Sequence, residues 1–417
     1  MSDGFLTDDH HRLRQRVRAF AETEVAPHVA AMESSGRVET ALAQLIAAQG
    51  WIGVTIDPAY GGMGAGHLAK TLIIEELARI SGAMGAMAQA SQLGTATIIN
   101  YGNDDQKQRW LPQIAAGTCL PTIAVTEPGS GSHVLGMRST ARRTGRGART
   151  HYVLTGRKSW IGNSHIGHLH AVVVRTGRGS RGLSAFGVEH DRPGLTATPY
   201  RPAMGLRGFG FGELILDRCR VPAANLIGQI GDGLAIAYSS SILYGRPNLT
   251  AVALGLHQAI VDQTVSFAQH RRRYNAPLAQ LPTIRDKIGL LQQRLMTARI
   301  LAYHAVHQLD HGQPCDHDLI NAKYLNVAAS RDSARDAMDI HAAAALHTDL
   351  PLERFFRDVQ HLFAPAGTGD IQLHRLAEAA LGLGHRQWSQ RLAHLTRHHP
   401  DATQTRTSAP AHPTAPA

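Results

Sequence analysis

The apolar residues of this 417-residue chain change their period twice, and those two changes decide what it can build. Up to residue 120 the spacing is helical. Leu13, Val17 and Phe20 recur with Arg and Glu on the other side, and Leu42, Leu45 and Ile46 mark a second helix that stops near Gly50. A Gly-rich loop over 58–66 precedes a stripe of Leu68, Leu72, Ile73, Leu77 and Ile80, and the Met84/Met87 stretch reads as soft core. Between 121 and 230 the runs become short and β-rich, at 153–154, 171–174, 184–188 and 213–216, separated by Gly, Pro and Asn. From Gly231 to about 395 the helical period returns. Ile284, Ile288, Leu291, Leu295 and Ala298 share one face of a long helix, a second is expected over 318–345 and a last over 373–381. The reading is an α+β chain of three domains, 1–120, 121–230 and 231–395. A tail over 396–417, rich in Thr, Ala, Pro and Ser, is too poor in apolar residues to fold.

The small-residue stretch Thr126-Glu-Pro-Gly-Ser-Gly-Ser132 follows an apolar run and turns at Pro128. Glycine there lets backbone N–H groups approach a bound group, because no Cβ intervenes. Thr126 and Ser132 add hydroxyls, and Trp160, in Arg157-Lys-Ser-Trp-Ile-Gly162, adds a flat surface. Together they suit one face of a planar heterocycle. Taken alone, the same fragments also read as a hairpin loop and a core tryptophan.

Charge narrows the partners. Forty-two Lys and Arg against 32 Asp and Glu give +10, and the 25 histidines add to it below neutral pH. The arginines are scattered and not interleaved with aromatics, so the excess suits a phosphate-bearing ligand or an acidic partner protein better than nucleic acid. The basic run at 142–149 reads as a solvated hairpin tip. Cys119, Cys219 and Cys315 lie far apart with no metal-ligand spacing, so buried thiols in a reducing compartment and no metal site are expected. The first residues show no basic and apolar leader pattern, and no run of about 18 apolar residues occurs. A cytoplasmic protein without a membrane span is the expectation.

The Thr126–Ser132 motif, the Trp160 segment, Tyr60-Gly-Gly-Met-Gly64, Arg246-Pro247, and Arg357-Asp358 running on to Ala366-Gly-Thr368 resemble the acyl-CoA dehydrogenase flavoproteins in order and spacing. The resemblance spans roughly residues 5 to 390. It implies an N-terminal helical domain, a central β-barrel-like domain and a C-terminal four-helix bundle, with FAD where they meet. It also implies a homodimer or homotetramer in which a neighbouring subunit closes the site. By the same resemblance, Val125, Thr126, Gly131, Ser132, Trp160 and Gly162 face the isoalloxazine. Arg271, Tyr274, Asp339, Ala342, Ala343 and Thr368 stand at the nucleotide end, and Gln89, Leu93, Ser132, Arg246 and Ala366 line the acyl substrate.

Several positions depart from the family pattern. Gly162 stands where relatives use Thr. The general base of one branch is a Glu just before Gly-Thr, which is Ala366 here; a second branch takes it one residue before the Arg of Arg-Pro, which is Gly245 here. Tyr244 and Asp370 are the ionisable neighbours that could substitute, although a tyrosine near pKa 10 is a poor base at pH 7. A Gln before Gly-Gly at the pyrophosphate becomes Asp339 before Ala342 and Ala343, adding a negative charge and Cβ atoms. Phe209 and Phe211 replace a Ser/Thr-bearing segment and read as core. The expectation is an FAD-dependent oxidoreductase acting on an acyl thioester in specialised metabolism. Two alternatives stand beside it: a flavin-dependent monooxygenase or oxidase that needs no carboxylate at residue 366, and a base-less partner subunit or scaffold in a hetero-oligomer.

Overall fold

Among the described residues the N-terminal domain has six α-helices, several with ends written into the sequence. In α1 (Asp8–Phe20) the Thr7 hydroxyl accepts from the N–H of His10, whose side chain reaches back to the Thr7 N–H. Helix α2 (Val29–Ser35) stops at Gly36, whose φ is 64°, and α3 (Thr40–Ala47) follows. Helices α4 (Gly66–Ile80) and α5 (Gly82–Tyr101) are buried along most of their length. Asn103 and Gln106 cap α6 (Asp104–Ala115) as a reciprocal pair. The computed structural model describes residues 3–37, 40–199, 203–384 and 386–396, so the tail beyond residue 396 lies outside the described residues.

Among the described residues the central domain is one sheet of eight strands: β1 (Pro121–Ala124), β2 (Thr140–Thr144), β3 (His151–Gly162), β4 (Leu169–Arg175), β5 (Leu183–Glu189), β6 (Leu195–Thr198), β7 (Phe211–Pro222) and β8 (Leu226–Ile227). Its order is β6-β7-β3-β2-β4-β5-β8, with β1 parallel to β4. The pairing path ends at two short strands, so the barrel-like domain is an open sheet among the described residues. Of the basic run at 142–149, residues 142–144 end β2 and the remainder lies in the β2–β3 hairpin connection.

In the C-terminal domain α7 (Gly233–Ser240) runs through a π-helical turn, Ser241–Gly245, into α8 (Arg246–His270). The long helices α9 (Pro282–Asp310) and α10 (Asp316–His341) pack on α8, and α4 of the N-terminal domain lies against α8 and α9. The helix expected over 318–345 ends at His341, because Ala342 takes φ 51° and breaks the α-helical ladder; a 3-10 turn completes the segment. Two shorter helices, α11 (Leu352–Val359) and α12 (Gly369–Ala380), complete the bundle. Arg357 ties the three domains together, pairing with Glu33 at 2.7 Å and Glu353 at 2.6 Å while donating to the Met204 carbonyl at 2.9 Å. No helix among the described residues is long and apolar enough to cross a membrane.

Candidate active site

The chain leaves β1 at Val125 and folds back at once. Glu127 and Ser130 exchange backbone hydrogen bonds of 3.0 and 3.1 Å, leaving Pro128 and Gly129 at the exposed tip. The Glu127 side chain turns inward. Its carboxylate accepts from the N–H groups of Arg138 (2.6 Å) and Ser139 (3.0 Å) and from Lys158 Nζ (2.8 Å). Lys158 is fully buried and also donates to the Val125 carbonyl at 2.9 Å. Burial works to raise the Glu127 carboxyl, but the Lys158 charge and the hydrogen bonds outweigh it and hold it below its ordinary value. Burial pushes the Lys158 ammonium down to about 8, with Glu127 opposing the fall.

This buried pair fixes the loop against β3 just before the tryptophan. The Ser159 N–H donates to the Thr126 carbonyl at 2.9 Å. Between Lys158 and Ile161 the β3–β7 register slips, and Trp160 takes φ 62°. A bulge of this kind re-aims a side chain, and the indole is 54% exposed. Trp160 is therefore not a core residue. An exposed indole on left-handed backbone is costly, and such strain clusters at functional sites. A Cβ added at Gly129 or Gly131 would meet nothing within 4 Å. Val125 and Thr126 are half-buried, and Gly131 and Ser132 are exposed. The result is an open, small-residue face beside a fixed aromatic plane, which fits a flavin ring.

Gly162 closes this half. A Cβ there would lie 2.9 Å from Phe209 Cζ and 3.0 Å from Ala90 Cβ, so the Phe209 ring occupies the room that a larger residue at 162 would need. Phe209 is core, as read from the sequence, and meets Phe211 edge-on at 4.6 Å. Asn163 then binds the sheet to α5, donating to the Met87 carbonyl (2.8 Å) and to Ser91 Oγ (2.9 Å).

Helix α5 also carries Gln89 and Leu93 into the second half of the site. A Cβ at Gly245 would lie 3.2 Å from the Ala366 Cβ and 3.5 Å from Leu93 Cδ1. The two positions at which the sequence leads one to expect a base thus face each other, and neither holds a carboxylate. Ala366 has φ 55° and Gly367 φ 97°. Beneath them Gln372 donates to the carbonyls of Ala366 (3.1 Å) and Gly367 (2.9 Å) and accepts from Arg246 Nε at 3.0 Å. Lys323 Nζ donates to the carbonyls of Phe363 (3.0 Å) and Gly367 (2.8 Å). Burial lowers Arg246 to about 10 and Lys323 to about 7. Gln89 Oε1, Ser240 Oγ, Arg246 Nη1 and Asn248 Oδ1 are buried without a hydrogen-bond partner.

The substitute bases fare differently from one another. Tyr244 is buried, with its hydroxyl 3.3 Å from Thr55 Oγ1, its ring edge-on to His67 and Lys70 Nζ 4.1 Å from its centre. Burial pushes its phenol up to about 12, the wrong direction for a base. Asp370 is exposed in the first turn of α12, where a carboxylate complements the helix dipole. At the nucleotide end, Arg271 follows α8 directly, and Tyr274 is 89% exposed at the tip of a hairpin, Arg272–Arg273 with Ala276–Pro277. Asp339 pairs with Lys287 at 3.1 Å, which offsets its charge. Ala342 and Ala343 are exposed, and Thr368 is the residue that precedes α12, with no side-chain hydrogen bond to its first turn.

Sequence reasoning passed over Glu127, Lys158, Lys323 and Gln372. A signal existed for the first two, an acid inside a small-residue turn and a lysine inside an apolar strand. For Lys323 and Gln372, on α10 and α12, nothing in the local pattern separates them from surface positions.

Known proteins match this chain across all three of its domains. Residues 7–118, 122–219 and 231–381 match the N-terminal, middle and C-terminal domain models of the acyl-CoA dehydrogenases. An acyl-CoA dehydrogenase of Bacillus subtilis is 33% identical over 381 residues, covering 90% of this chain and 99% of the relative. Butyryl-CoA dehydrogenase from Megasphaera elsdenii superposes with a TM-score of 0.87 at 27% identity, covering 90% of this chain and 99% of the other. The FAD complex of PigA gives 0.85 at 25% identity, covering 91% and 98%.

Proposed function

Because this chain belongs to the acyl-CoA dehydrogenase family of FAD-dependent oxidoreductases, we propose that it acts on an acyl thioester, carried by CoA or an acyl carrier protein, in specialised metabolism. We take it to work in the cytoplasm as a homodimer or homotetramer. The observation that carries this reading is the intact half-site of Thr126 and Trp160, braced by the buried Glu127–Lys158 pair.

FAD, when bound, supplies the electron-accepting ring. Val125, Thr126, Gly131 and Ser132 offer it a backbone-lined face, and Trp160 holds its plane. Lys158 keeps that face from shifting, because its ammonium grips both the Val125 carbonyl and Glu127. The backbone N–H of residue 366 is the group available to polarise the thioester carbonyl. Gln89, Leu93 and Gly245 border the acyl group. With Gly245 and Ala366 in place, the chain offers no carboxylate to take an α-proton from either family position.

Purified protein should take up one flavin per chain and show its absorbance, and an acyl thioester should perturb that spectrum. Failure to take up FAD defeats the reading. The absent carboxylates favour a second reading, in which the reduced flavoprotein consumes oxygen. Oxygen uptake that requires reduced flavin supports it, and none excludes it.

A further inference from the structure

We propose that the site bordered by Gly245, Arg246 and Ala366 receives a carboxylate carried by the substrate itself, so that the acyl chain of the thioester bears a second acid group. The inference rests on the thioester reading above and narrows its substrate class. Its basis is an imbalance of buried charge. Arg246 is 4% exposed and Lys323 1% exposed, and neither makes an ion pair among the described residues. Arg246 Nε meets only the neutral oxygen of Gln372, Nη1 has no partner, and Lys323 meets two carbonyls. The acid that acts on Arg246 from a distance, Asp316, already accepts from the N–H groups of Trp388 (2.7 Å) and Ser389 (2.9 Å).

Of the other fully buried cations, Lys158 has the Glu127 carboxylate at 2.8 Å, and Lys70 has the His67 Nδ1 at 2.8 Å and the Tyr244 ring face; Arg246 has a neutral amide oxygen and one nitrogen with no partner. A buried charge deprived of its counter-charge is strongly destabilising. Arg246 is sequence neighbour to Gly245, and its Nη2 lies 3.6 Å from where a Cβ on Gly367 would stand. The cations therefore lie under the loop that carries Ala366, where only a methyl group and a glycine face each other. Burial depresses both cations, and an anion at this point would relieve them. The hydroxyl of Ser240, buried without a partner, can donate to such a carboxylate.

The test uses FAD-loaded protein, so that the cofactor's phosphates are present in every arm. Anaerobic titration compares succinyl-CoA with butanoyl-CoA, whose acyl chains have equal length, by calorimetry and by flavin absorbance. The carboxylated thioester should bind about tenfold tighter or more, the worth of one charge-assisted hydrogen bond. Arg246→Gln should abolish the preference. So should Ala366→Glu, which places an internal carboxylate over the same cations and leaves Arg246 intact. Equal affinity for the two ligands in the parent overturns the proposal while leaving the thioester reading in place. A preference that survives both substitutions overturns it equally. If neither thioester binds or perturbs the flavin, the thioester reading falls and this inference with it.

Discussion

Lys158 and Arg246 are both cations sealed inside this protein, one in each half of its site, and their circumstances are opposite. Lys158 sits against a buried carboxylate and also donates to the Val125 carbonyl, in the loop proposed to face the flavin. Arg246 sits beside a glycine and an alanine where the family resemblance leads one to expect an acid, and one of its terminal nitrogens has no partner. The first half is self-sufficient, with its counter-charge built in. The second half is complete only when something else arrives. A buried ion pair stabilises little by itself; what differs between the halves is whether the charge is closed within the chain or left for a ligand.

Breaking the closed half should produce the largest effect. Lys158→Met leaves the Glu127 carboxylate buried and unpaired, and about 3–5 kcal/mol of stability should be lost. Thermal unfolding with and without FAD measures it, and the FAD-dependent increment should shrink as the Thr126 loop loosens. The pH dependence has a defined sign. The Lys158 ammonium falls from 10.5 to about 8 in the folded state, so between those values the unfolded chain holds more protons and the parent's stability rises with pH. On the acid side, Glu127 titrates below its ordinary value. Its contribution is present above that value and is lost as pH falls through the folded one. Lys158→Met should flatten the alkaline rise.

How much of this was legible in the sequence follows from which interactions are local. The three-domain order was legible because hydrophobic period is a property of neighbouring residues, and so were the Thr126 loop and the core role of Phe209. The end of α10 was missed because Ala342, a good helix former, adopts a backbone conformation that only tertiary context imposes. The Glu127–Lys158 pair joins residues 31 apart and depends on strand register. The absence of an acid at Gly245 and Ala366 was visible through the family resemblance, yet that the two positions face each other is a fact of the fold.

The boundary between the halves runs through Gly162. Gly162→Thr should cost about 1–3 kcal/mol, the range for forcing extra atoms into a packed core, because its Cβ arrives 2.9 Å from the Phe209 ring. Phe209→Leu in the same chain should recover more than half of that loss, giving a coupling that urea unfolding of the four variants resolves. Additive costs would mean that Phe209 is not what excludes a larger residue at 162. Trp160→Gly separates stability from binding within the closed half. Removing a side chain from φ 62° should raise stability by about 1 kcal/mol. FAD affinity, followed by flavin fluorescence, should fall about tenfold with the loss of the stacking plane.

The smallest effect bears most directly on the open half. Ala366 holds φ 55°, a conformation that costs an L-residue about 1–2 kcal/mol, so Ala366→Gly removes strain. Glycine also frees the unfolded chain, which takes back about 0.4–1 kcal/mol, and the expected outcome is a gain below about 1 kcal/mol in chemical unfolding. The sign discriminates. If the methyl group is core packing between Gly245 and Leu93, deleting it opens a void and the variant loses stability instead. A gain means that the methyl group contributes little to holding the two segments together. The uncompensated Arg246 and Lys323 would then lie beside a place built to be filled from outside.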